Sequence, residues 1–320
     1  MLDTKIKSLM KKHSVPSVSY AYLENEKIIT KQFGYLSNNS KTLVNKNTKF
    51  QTASLSKFIT SLVINMWCID NNFDISNPIQ PYIKELNIPK HVTLKKLLSH
   101  SAGYNVKGFS GYSFYTKKLP SLLDIIKGNS CNSSTIKQIY KSGYYKYSGG
   151  GYCIAQYLIE KLSNKPLNEL AQNYLFNPLN MQNSSFDIIQ NSSNIAYAHT
   201  KTGRKVKGGY KLYPESAAAG LWSTPYDFIL LNKTVLKTLN SHDNSLLTKA
   251  AKNCIQKTIS IKEYKKWYGL GVQVTGSSSV DSFSHHGSNK GYNSFFTTSI
   301  KNKTSLTIMT NSEQGDKLIN

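Results

Sequence analysis

The chain has 320 residues, 39% of them hydrophobic and 11% aromatic, and 40 Lys and Arg residues against 17 Asp and Glu give a formal net charge of +23. This hydrophobic fraction excludes a disordered chain, and the length fits one unit with two subdomains. The charge indicates attraction to an anionic partner, such as a cell-wall polymer or a membrane surface. The basic residues are scattered lysines, with Arg204 the exception, whereas nucleic-acid recognition favours clustered arginines, so no nucleic acid is expected as a partner.

Cysteine spacing and hydropathy set further limits. The four cysteines, Cys68, Cys131, Cys153 and Cys254, form no C-x-x-C pair, so neither a disulfide framework nor a zinc site is indicated. Acidic residues are scarce near the histidines, so no metal is expected. No apolar stretch is long enough to span a membrane, and the N-terminus lacks the apolar core of a signal peptide. The sequence therefore predicts either an intracellular protein or one whose export signal has been removed.

Hydrophobic periodicity predicts strands at both ends of the chain and helices between them. Residues 3–13 form an amphipathic helix, and residues 17–25 and 26–37 form a hairpin that turns at Asn25 and Glu26. A polar loop then leads to the apolar run after residue 51, which predicts a buried helix.

The rest of the chain completes this pattern. Helices are predicted at 93–98 behind a Thr93 cap, in two segments from Gly151 that break near Asn164 and Pro166, and behind a cap at Ser223 or Thr224. Residues 104–146 are loop-rich and suited to one wall of a cleft. An antiparallel meander of strands is predicted at 268–276, 282–288, 292–300 and 304–311. Strands at both termini predict an α+β fold in which the two ends share one sheet.

The stretch QTASLSKFIT, residues 51–60, carries the first chemical motif. Ser54 and Lys57 have the spacing S-x-x-K, and residues three apart lie on one face of a helix, so the hydroxyl and the amine meet there. A serine hydroxyl becomes a nucleophile when a neighbouring base takes its proton, and lysine can be that base. The spacing also arises by chance in lysine-rich chains, so its interpretation depends on two further motifs.

Those motifs are Tyr147-Ser148-Gly149 in YKYSGGGY and His285-His286-Gly287 in SHHGSNKGYNSFF. In this order, S-x-x-K, Y-x-G and H-x-G resemble the active site of the serine β-lactamase and penicillin-binding-protein superfamily, closest to its class C β-lactamase, DD-peptidase and esterase branch. Flanking segments such as LKKLLSHSAGY and AAAGLWSTPYDF also resemble that family. The resemblance covers nearly the whole chain.

The resemblance implies a β-lactamase/transpeptidase-like α+β fold, with an antiparallel sheet built from both termini, flanking helices and a mainly helical subdomain. One catalytic unit would span residues 1–320, with the α/β part at 1–78 and 211–320 and the mainly helical part at 79–210. It also implies a periplasmic or extracellular location, which the absence of a signal peptide leaves open. Family members usually continue into a C-terminal helix after the last strand, whereas this chain ends at Asn320.

The implied function is that of a serine hydrolase, a peptidase, amidase or esterase that acts through an acyl-enzyme. Ser54 attacks the carbonyl, while Lys57 and Tyr147 share the proton transfers, and the sequence leaves open which of them is the base. The family assigns the oxyanion hole to the backbone N–H groups of Ser54 and Ser288, and Gly287 is expected to permit close approach of the substrate. No cofactor is implied. The expected substrate is a small molecule or a peptide, with a cell-wall origin as one option.

Two departures from the family pattern keep a second interpretation open. His285 replaces the usual lysine, so a fixed positive charge becomes an imidazole expected to titrate near physiological pH. Gly149 replaces the usual asparagine and so removes an amide that would contact the substrate. Both changes weaken the case for β-lactam hydrolysis. They motivate the alternative of a catalytically idle relative that binds cell-wall peptide or a protein partner.

Two other histidines receive structural interpretations. His100, in LLSHSAG, is expected to bond loop backbone rather than to act as a base. His286 is expected to lie on the other side of its strand from His285.

Overall fold

Strands from both ends of the chain form one eight-stranded antiparallel sheet in the computed structural model, which describes residues 2–129, 132–187, 193–239, 243–264 and 266–319. In chain order the strands are β1 (Ser17–Glu24), β2 (Lys27–Gly34), β3 (Phe50–Gln51), β4 (Tyr112–Ser113), β5 (Lys211–Leu212), β6 (Trp222–Ser223), β7 (Ile259–Ile261), β8 (Lys266–Tyr268), β9 (Gln273–Thr275), β10 (Ser282–Asn289), β11 (Tyr292–Ser299) and β12 (Thr304–Thr310). The large sheet has the order β2-β1-β12-β11-β10-β9-β8-β7, while β3 pairs with β6 and β4 with β5. The predicted α+β fold with a sheet shared by both termini is confirmed.

The helices cover this sheet, and most of them lie in the sequence between its N-terminal and C-terminal strands. In chain order they are α1 (Leu2–Lys12), α2 (Ser56–Asp70), α3 (Leu94–Leu98), α4 (Leu122–Lys127), α5 (Gly149–Ser163), α6 (Leu167–Ala171), α7 (Pro225–Leu239), α8 (Leu246–Cys254) and α9 (Asp316–Ile319). Over the described part of the chain, none of them combines the length and apolarity needed to cross a membrane. The division into an α/β part and a helical part at residues 79 and 210 stays a prediction.

Helix α2 is the centre of the main core. Twelve of its fifteen residues are buried, as the nearly uninterrupted apolar run predicts. Phe58 places its ring 5.6 Å from that of Phe283 on β10 and 5.4 Å from that of Phe296 on β11. These contacts fix the N-terminal end of α2, and with it the S-x-x-K motif, against the sheet.

Local signals account for several boundaries. Asn25 and Glu26 adopt φ angles of +48° and +62°, which form the tight turn of the β1–β2 hairpin. Thr93 accepts a hydrogen bond from the Lys96 backbone N–H at 3.1 Å and caps α3. Thr224, one of the two predicted caps of α7, accepts from the Asp227 backbone N–H at 3.1 Å. These predictions are confirmed.

The meander differs from its prediction at one point. The segment predicted as one strand at 268–276 forms two short strands, β8 and β9, with a turn between them. Gly271 in this turn has φ +81°, and a side chain there would lie 2.6 Å from the Lys57 carbonyl oxygen and from Ser61 Oγ. The chain therefore turns where it packs onto α2, and a strand could not continue through that contact. Helix α8 and strand β7 were also not predicted.

Three of the four cysteines lie in the described part of the chain. Cys68, Cys153 and Cys254 are buried free thiols. Cys131 lies outside the described residues, as does Asn320.

Candidate active site

Ser54 and Lys57 lie side by side at the start of α2. Ser54 belongs to a short 3-10 helix, Ala53–Leu55, that precedes α2, rather than to α2 itself. Lys57 is 2% exposed, and its Nζ donates hydrogen bonds to Ser54 Oγ at 3.0 Å and to the Ala218 carbonyl oxygen at 2.6 Å. Ala53 has φ +50°, a left-handed conformation that non-glycine residues rarely adopt and that often marks a functional site. The backbone thus holds the hydroxyl at hydrogen-bond distance from the amine.

Tyr147 approaches the same pair from the other side of the cleft. It lies two residues before α5, whose first turn is capped by the Ser148 hydroxyl. The Lys57 Nζ lies 5.1 Å from the centre of the Tyr147 ring, and Tyr147 lines the same cavity as Ser54. The structure therefore brings together the three residues predicted for proton transfer, although their separate roles stay a prediction.

His100 packs against the ring of Tyr147. Its ring centre lies 4.2 Å from that of Tyr147, and its Nδ1 accepts a hydrogen bond from the Ser148 backbone N–H at 3.1 Å. Burial, followed by the positive charge of Lys57, holds the pKa of His100 well below its usual range. His100 is therefore a neutral residue bonded to loop backbone, as its sequence context indicated.

His285 is buried, at 5% exposure, on the inner face of β10. Its Nδ1 lies 2.6 Å from the His286 carbonyl oxygen, which can only accept, so Nδ1 carries the proton. Its Nε2 therefore accepts from the Tyr268 hydroxyl at 2.9 Å. Burial, and then the charge of Lys57, lower the pKa of His285 to about 3. The prediction that His285 titrates near physiological pH is thus wrong, because the ring is buried, both of its nitrogens are bonded within the protein, and the charge of Lys57 opposes a second positive charge beside it.

Gly287 allows two backbone segments to pack closely, while its role in the approach of a substrate stays a prediction. A side chain at Gly287 would overlap the Thr52 carbonyl oxygen and Ser294 Oγ, and Ser294 Oγ itself donates to that carbonyl at 2.7 Å. The backbone that leads to Ser54 fills the space that a side chain at this position would enter. Gly287 therefore sets the distance between β10 and the nucleophile.

Ser288 presents its backbone to the cleft. Lys290 and Gly291 form a two-residue turn between β10 and β11, and Asn289 and Tyr292 close it as a hydrogen-bonded pair. Because such pairs alternate along an antiparallel ladder, the N–H of Ser288 points away from β11. Strand β9 pairs with residues 282–284 of β10, and among the described residues no strand pairs with the edge of β10 beside Ser54. The N–H is suitably directed to bind an oxyanion.

Gly149 is covered by a neighbouring loop. A side chain there would lie 2.9 Å from Phe109 Cε2 and 3.2 Å from the Lys107 carbonyl oxygen, and the Gly149 N–H donates to that carbonyl at 3.2 Å. The expectation that position 149 faces the substrate does not fit this packing. The loop occupies the space into which an asparagine side chain would extend.

Two connected cavities open beside these residues. A cavity of about 590 Å³ contains Ser54, Gly287 and Ser288 in its lining. A second cavity of about 900 Å³ is lined largely by tyrosines and by the 259–263 segment. Lys107, Tyr147 and His286 line both cavities, so the two form one continuous cleft. His286 lies on the opposite face of β10 from His285, as expected.

Three contributors to the site were missed by sequence reasoning. The Ala218 carbonyl that holds Lys57 lies in a π-helix, Ser216–Gly220, and only the resemblance of the AAAG segment to the family pointed there. Tyr268 reaches His285 because the turn after β8 packs on α2. Lys107 enters the cleft because its loop lies on the glycines at the start of α5. The last two depend on packing between distant segments, which leaves no local signal.

The pH dependence of stability follows from His285. Its pKa is about 6.5 when unfolded and about 3 when folded, so below pH 6.5 the unfolded chain binds a proton that the folded chain excludes. The stabilisation is complete above pH 6.5 and is lost as the pH falls toward 3. Between pH 6.5 and 5 the wild type should lose about 2 kcal/mol more unfolding free energy than His285→Asn.

Urea unfolding at several pH values measures this difference. His100 and His199 are present in both proteins, so their own contributions cancel in the comparison. His13→Asn, at the end of α1, is the matched control. Parallel stability curves for wild type and His285→Asn would contradict the neutral, buried state of His285.

Comparisons with known proteins identify the family of this chain. The family model described as Beta-lactamase matches residues 2–319. Teichoic acid D-alanine hydrolase from Staphylococcus aureus is 25% identical over 232 residues, which cover 70% of this chain and 56% of the relative. The chain thus spans little more than half the length of the curated relatives it matches.

Two solved structures share the fold. A penicillin-binding protein homologue from Pyrococcus abyssi, described as octameric, has a TM-score of 0.81 at 20% identity. The match covers 98% of this chain and 73% of the homologue's chain. D-alanine carboxypeptidase AmpC from Burkholderia cenocepacia has a TM-score of 0.77 at 16% identity. The match covers 99% of this chain and 95% of the carboxypeptidase chain. The β-lactamase/transpeptidase-like fold implied by the sequence is confirmed.

Proposed function

Because this chain belongs to the beta-lactamase family, we propose that it is a serine hydrolase that forms an acyl-enzyme on Ser54 and cleaves an ester of a D-amino acid. The observation that carries the proposal is the buried Lys57 amine, 3.0 Å from Ser54 Oγ and anchored on the Ala218 carbonyl. A lysine held in this way serves proton transfer better than it serves the binding of a ligand. The D-amino acid is supported by the relatives, whose names describe a D-alanine hydrolase and a D-alanine carboxypeptidase.

The reaction proceeds in two balanced steps. Ser54 Oγ forms a bond to the carbonyl carbon while its proton passes to the Lys57 and Tyr147 pair, and the N–H groups of Ser54 and Ser288 bind the oxyanion. The bond to the leaving alcohol then breaks, and the alcohol takes the proton. A water molecule attacks the acyl-enzyme by the same route and releases the D-amino acid, which restores the Ser54 hydroxyl.

The residue at position 285 favours an ester over a β-lactam. A β-lactam or a peptide C-terminus carries a carboxylate beside the scissile bond, and a neutral His285 offers it no charge. Both nitrogens of His285 are also already bonded within the protein. An ester without a carboxylate at that position does not need such a charge.

Active-site labelling tests the proposal. A fluorophosphonate probe is expected to form a covalent adduct that mass spectrometry locates on Ser54. The protein should release D-alanine from D-alanine methyl ester faster than L-alanine from the L-enantiomer. Ser54→Ala should lose both the adduct and the turnover, whereas Ser278→Ala, on an exposed loop, should retain both.

The idle-relative alternative predicts the opposite result. It requires that wild type form no adduct and turn over no ester, while Ser54→Ala binds cell-wall peptide as tightly as wild type. That combination would refute the proposed hydrolase.

A further inference from the structure

Two stretches of the chain that contain no acidic residue are brought together by a small sheet. Neither residues 86–123 nor residues 188–214 include an Asp or a Glu. Strand β4 belongs to the first stretch and pairs with β5 of the second, with Ser113 opposite Lys211. Lysines that are far apart in sequence therefore lie on neighbouring segments of the surface.

A hairpin at residues 199–205 carries several of these charges. The Thr200 N–H donates to the Arg204 carbonyl oxygen at 2.8 Å, which closes the hairpin. Gly208 follows it and packs on the other stretch, since a side chain there would lie 2.5 Å from Phe114 Cβ. The exposed cations of the hairpin and of the loop after Phe114 form what we call the basic patch: Lys117, Lys118, Lys201, Arg204, Lys205 and Lys207.

The charges of the basic patch are not neutralised within the protein. None of its six side chains takes part in an ion pair with any residue that the structure describes. Glu313 accepts a hydrogen bond from the Lys201 backbone N–H at 2.9 Å, but its carboxylate forms an ion pair with Lys290 at 2.6 Å. The basic patch is therefore available to an anionic partner.

Exposed apolar side chains lie beside the basic patch. Tyr115, two residues before Lys117, is 62% exposed, the highest fraction among the large hydrophobic side chains of the described residues. Leu43 is 61% exposed, in a loop that the Asn38 side-chain amide ties to the Gly203 carbonyl oxygen of the hairpin at 2.7 Å. Tyrosine is enriched where membranes meet water, and lysines are attracted to anionic headgroups.

We propose that the basic patch docks this protein on an anionic lipid bilayer. Five of its six cations are lysines, whereas nucleic-acid recognition favours arginines. A bilayer also offers apolar contact to Leu43, which the phosphates of a soluble polyanion would leave in water. Glu313, which touches the hairpin, also lines the cavity that contains Ser54, so docking would bring the nucleophile close to the membrane surface.

Vesicle sedimentation tests the docking. Wild type is expected to bind vesicles of equimolar phosphatidylcholine and phosphatidylglycerol, to stay in solution with phosphatidylcholine alone, and to bind more weakly as salt is raised. In K201A/R204A/K207A the partition coefficient should fall about a hundredfold, because each basic residue near an anionic surface contributes about fivefold. Tyr115→Ser should weaken binding by the same factor at low and at high salt, because its contribution is not electrostatic.

A second triple variant controls for net charge. Lys237, Lys249 and Lys252 are exposed on α7 and α8, which pack on each other, so K237A/K249A/K252A removes the same charge elsewhere and should bind within about twofold of wild type. Equal Tm values in solution would exclude a folding defect as the cause of lost binding. If K201A/R204A/K207A has a lower Tm, K117A/K118A replaces it and should bind about twenty-five times more weakly than wild type.

Four results would overturn the proposal. They are an absence of binding to the mixed vesicles, equal binding to vesicles of phosphatidylcholine alone, an equal fall in both triple variants, and binding of double-stranded DNA as tight as that of the mixed vesicles at equal phosphate concentration. The last would identify a general polyanion site. The measurements need no substrate, so they decide the docking whatever the result of the Ser54 labelling.

Discussion

Replacing Lys57 with methionine is expected to lower kcat for ester hydrolysis by about a thousandfold, because the side chain that lies 3.0 Å from Ser54 Oγ can no longer exchange a proton with it. Methionine has a similar length and tolerates burial, so the fold should persist. The Ala218 carbonyl loses its donor, and the free energy of unfolding should fall by about 1–3 kcal/mol.

Steady-state kinetics and thermal unfolding of the same sample separate these two effects. Lys249→Met, at an exposed position of α8, is the matched control and should retain wild-type kcat and stability. A loss of less than tenfold in Lys57→Met would assign the base to Tyr147 instead. Restoration of activity at high pH by added primary amines would further support Lys57.

Gly287→Ala is expected to lower kcat/KM by about a hundredfold, because β10 and the segment before Ser54 must separate to accommodate one methyl group. The new side chain would overlap the Thr52 carbonyl oxygen, which is backbone and cannot rotate away. The shift would carry the Ser288 N–H away from the oxyanion that forms on the substrate. Overpacking should also lower the free energy of unfolding by about 1–3 kcal/mol.

A second glycine provides a matched control for this substitution. In Gly151→Ala the new side chain would lie 3.5 Å from the Leu97 carbonyl oxygen, an ordinary contact, in the first turn of α5. Alanine is favoured over glycine in a helix, so this variant should keep its activity and gain slightly in stability. Activity in Gly287→Ala within a few fold of wild type would show that the distance between β10 and Ser54 does not limit catalysis.

The sequence indicated the parts of the site that depend on short spacing. Ser54 and Lys57 are three residues apart, so their contact follows from the local helix, and the terminal strands follow from alternation and turn residues. The resemblance to a family added Tyr147 and the β10 motif, which stand far away in sequence.

The properties that depend on three-dimensional burial were not accessible in this way. The neutral state of His285 results from the Tyr268 hydroxyl and the His286 carbonyl, and only the folded chain brings Tyr268 to it. The covered position of Gly149 results from a loop whose course had no periodic signal. The split of the 268–276 segment likewise came from its contact with α2 rather than from its own propensity.

Ala53, the residue before the nucleophile, has a left-handed backbone conformation that destabilises the fold. An alanine in this conformation costs about 1–2 kcal/mol, and its φ of +50° persists because the buried residues Thr52 and Leu55 hold the backbone before and after it. Selection for stability alone would favour glycine, which adopts this conformation readily. Glycine would also widen the conformational freedom of the segment that carries Ser54. Alanine at this position therefore lowers the folding free energy but restricts the orientations open to the reactive hydroxyl.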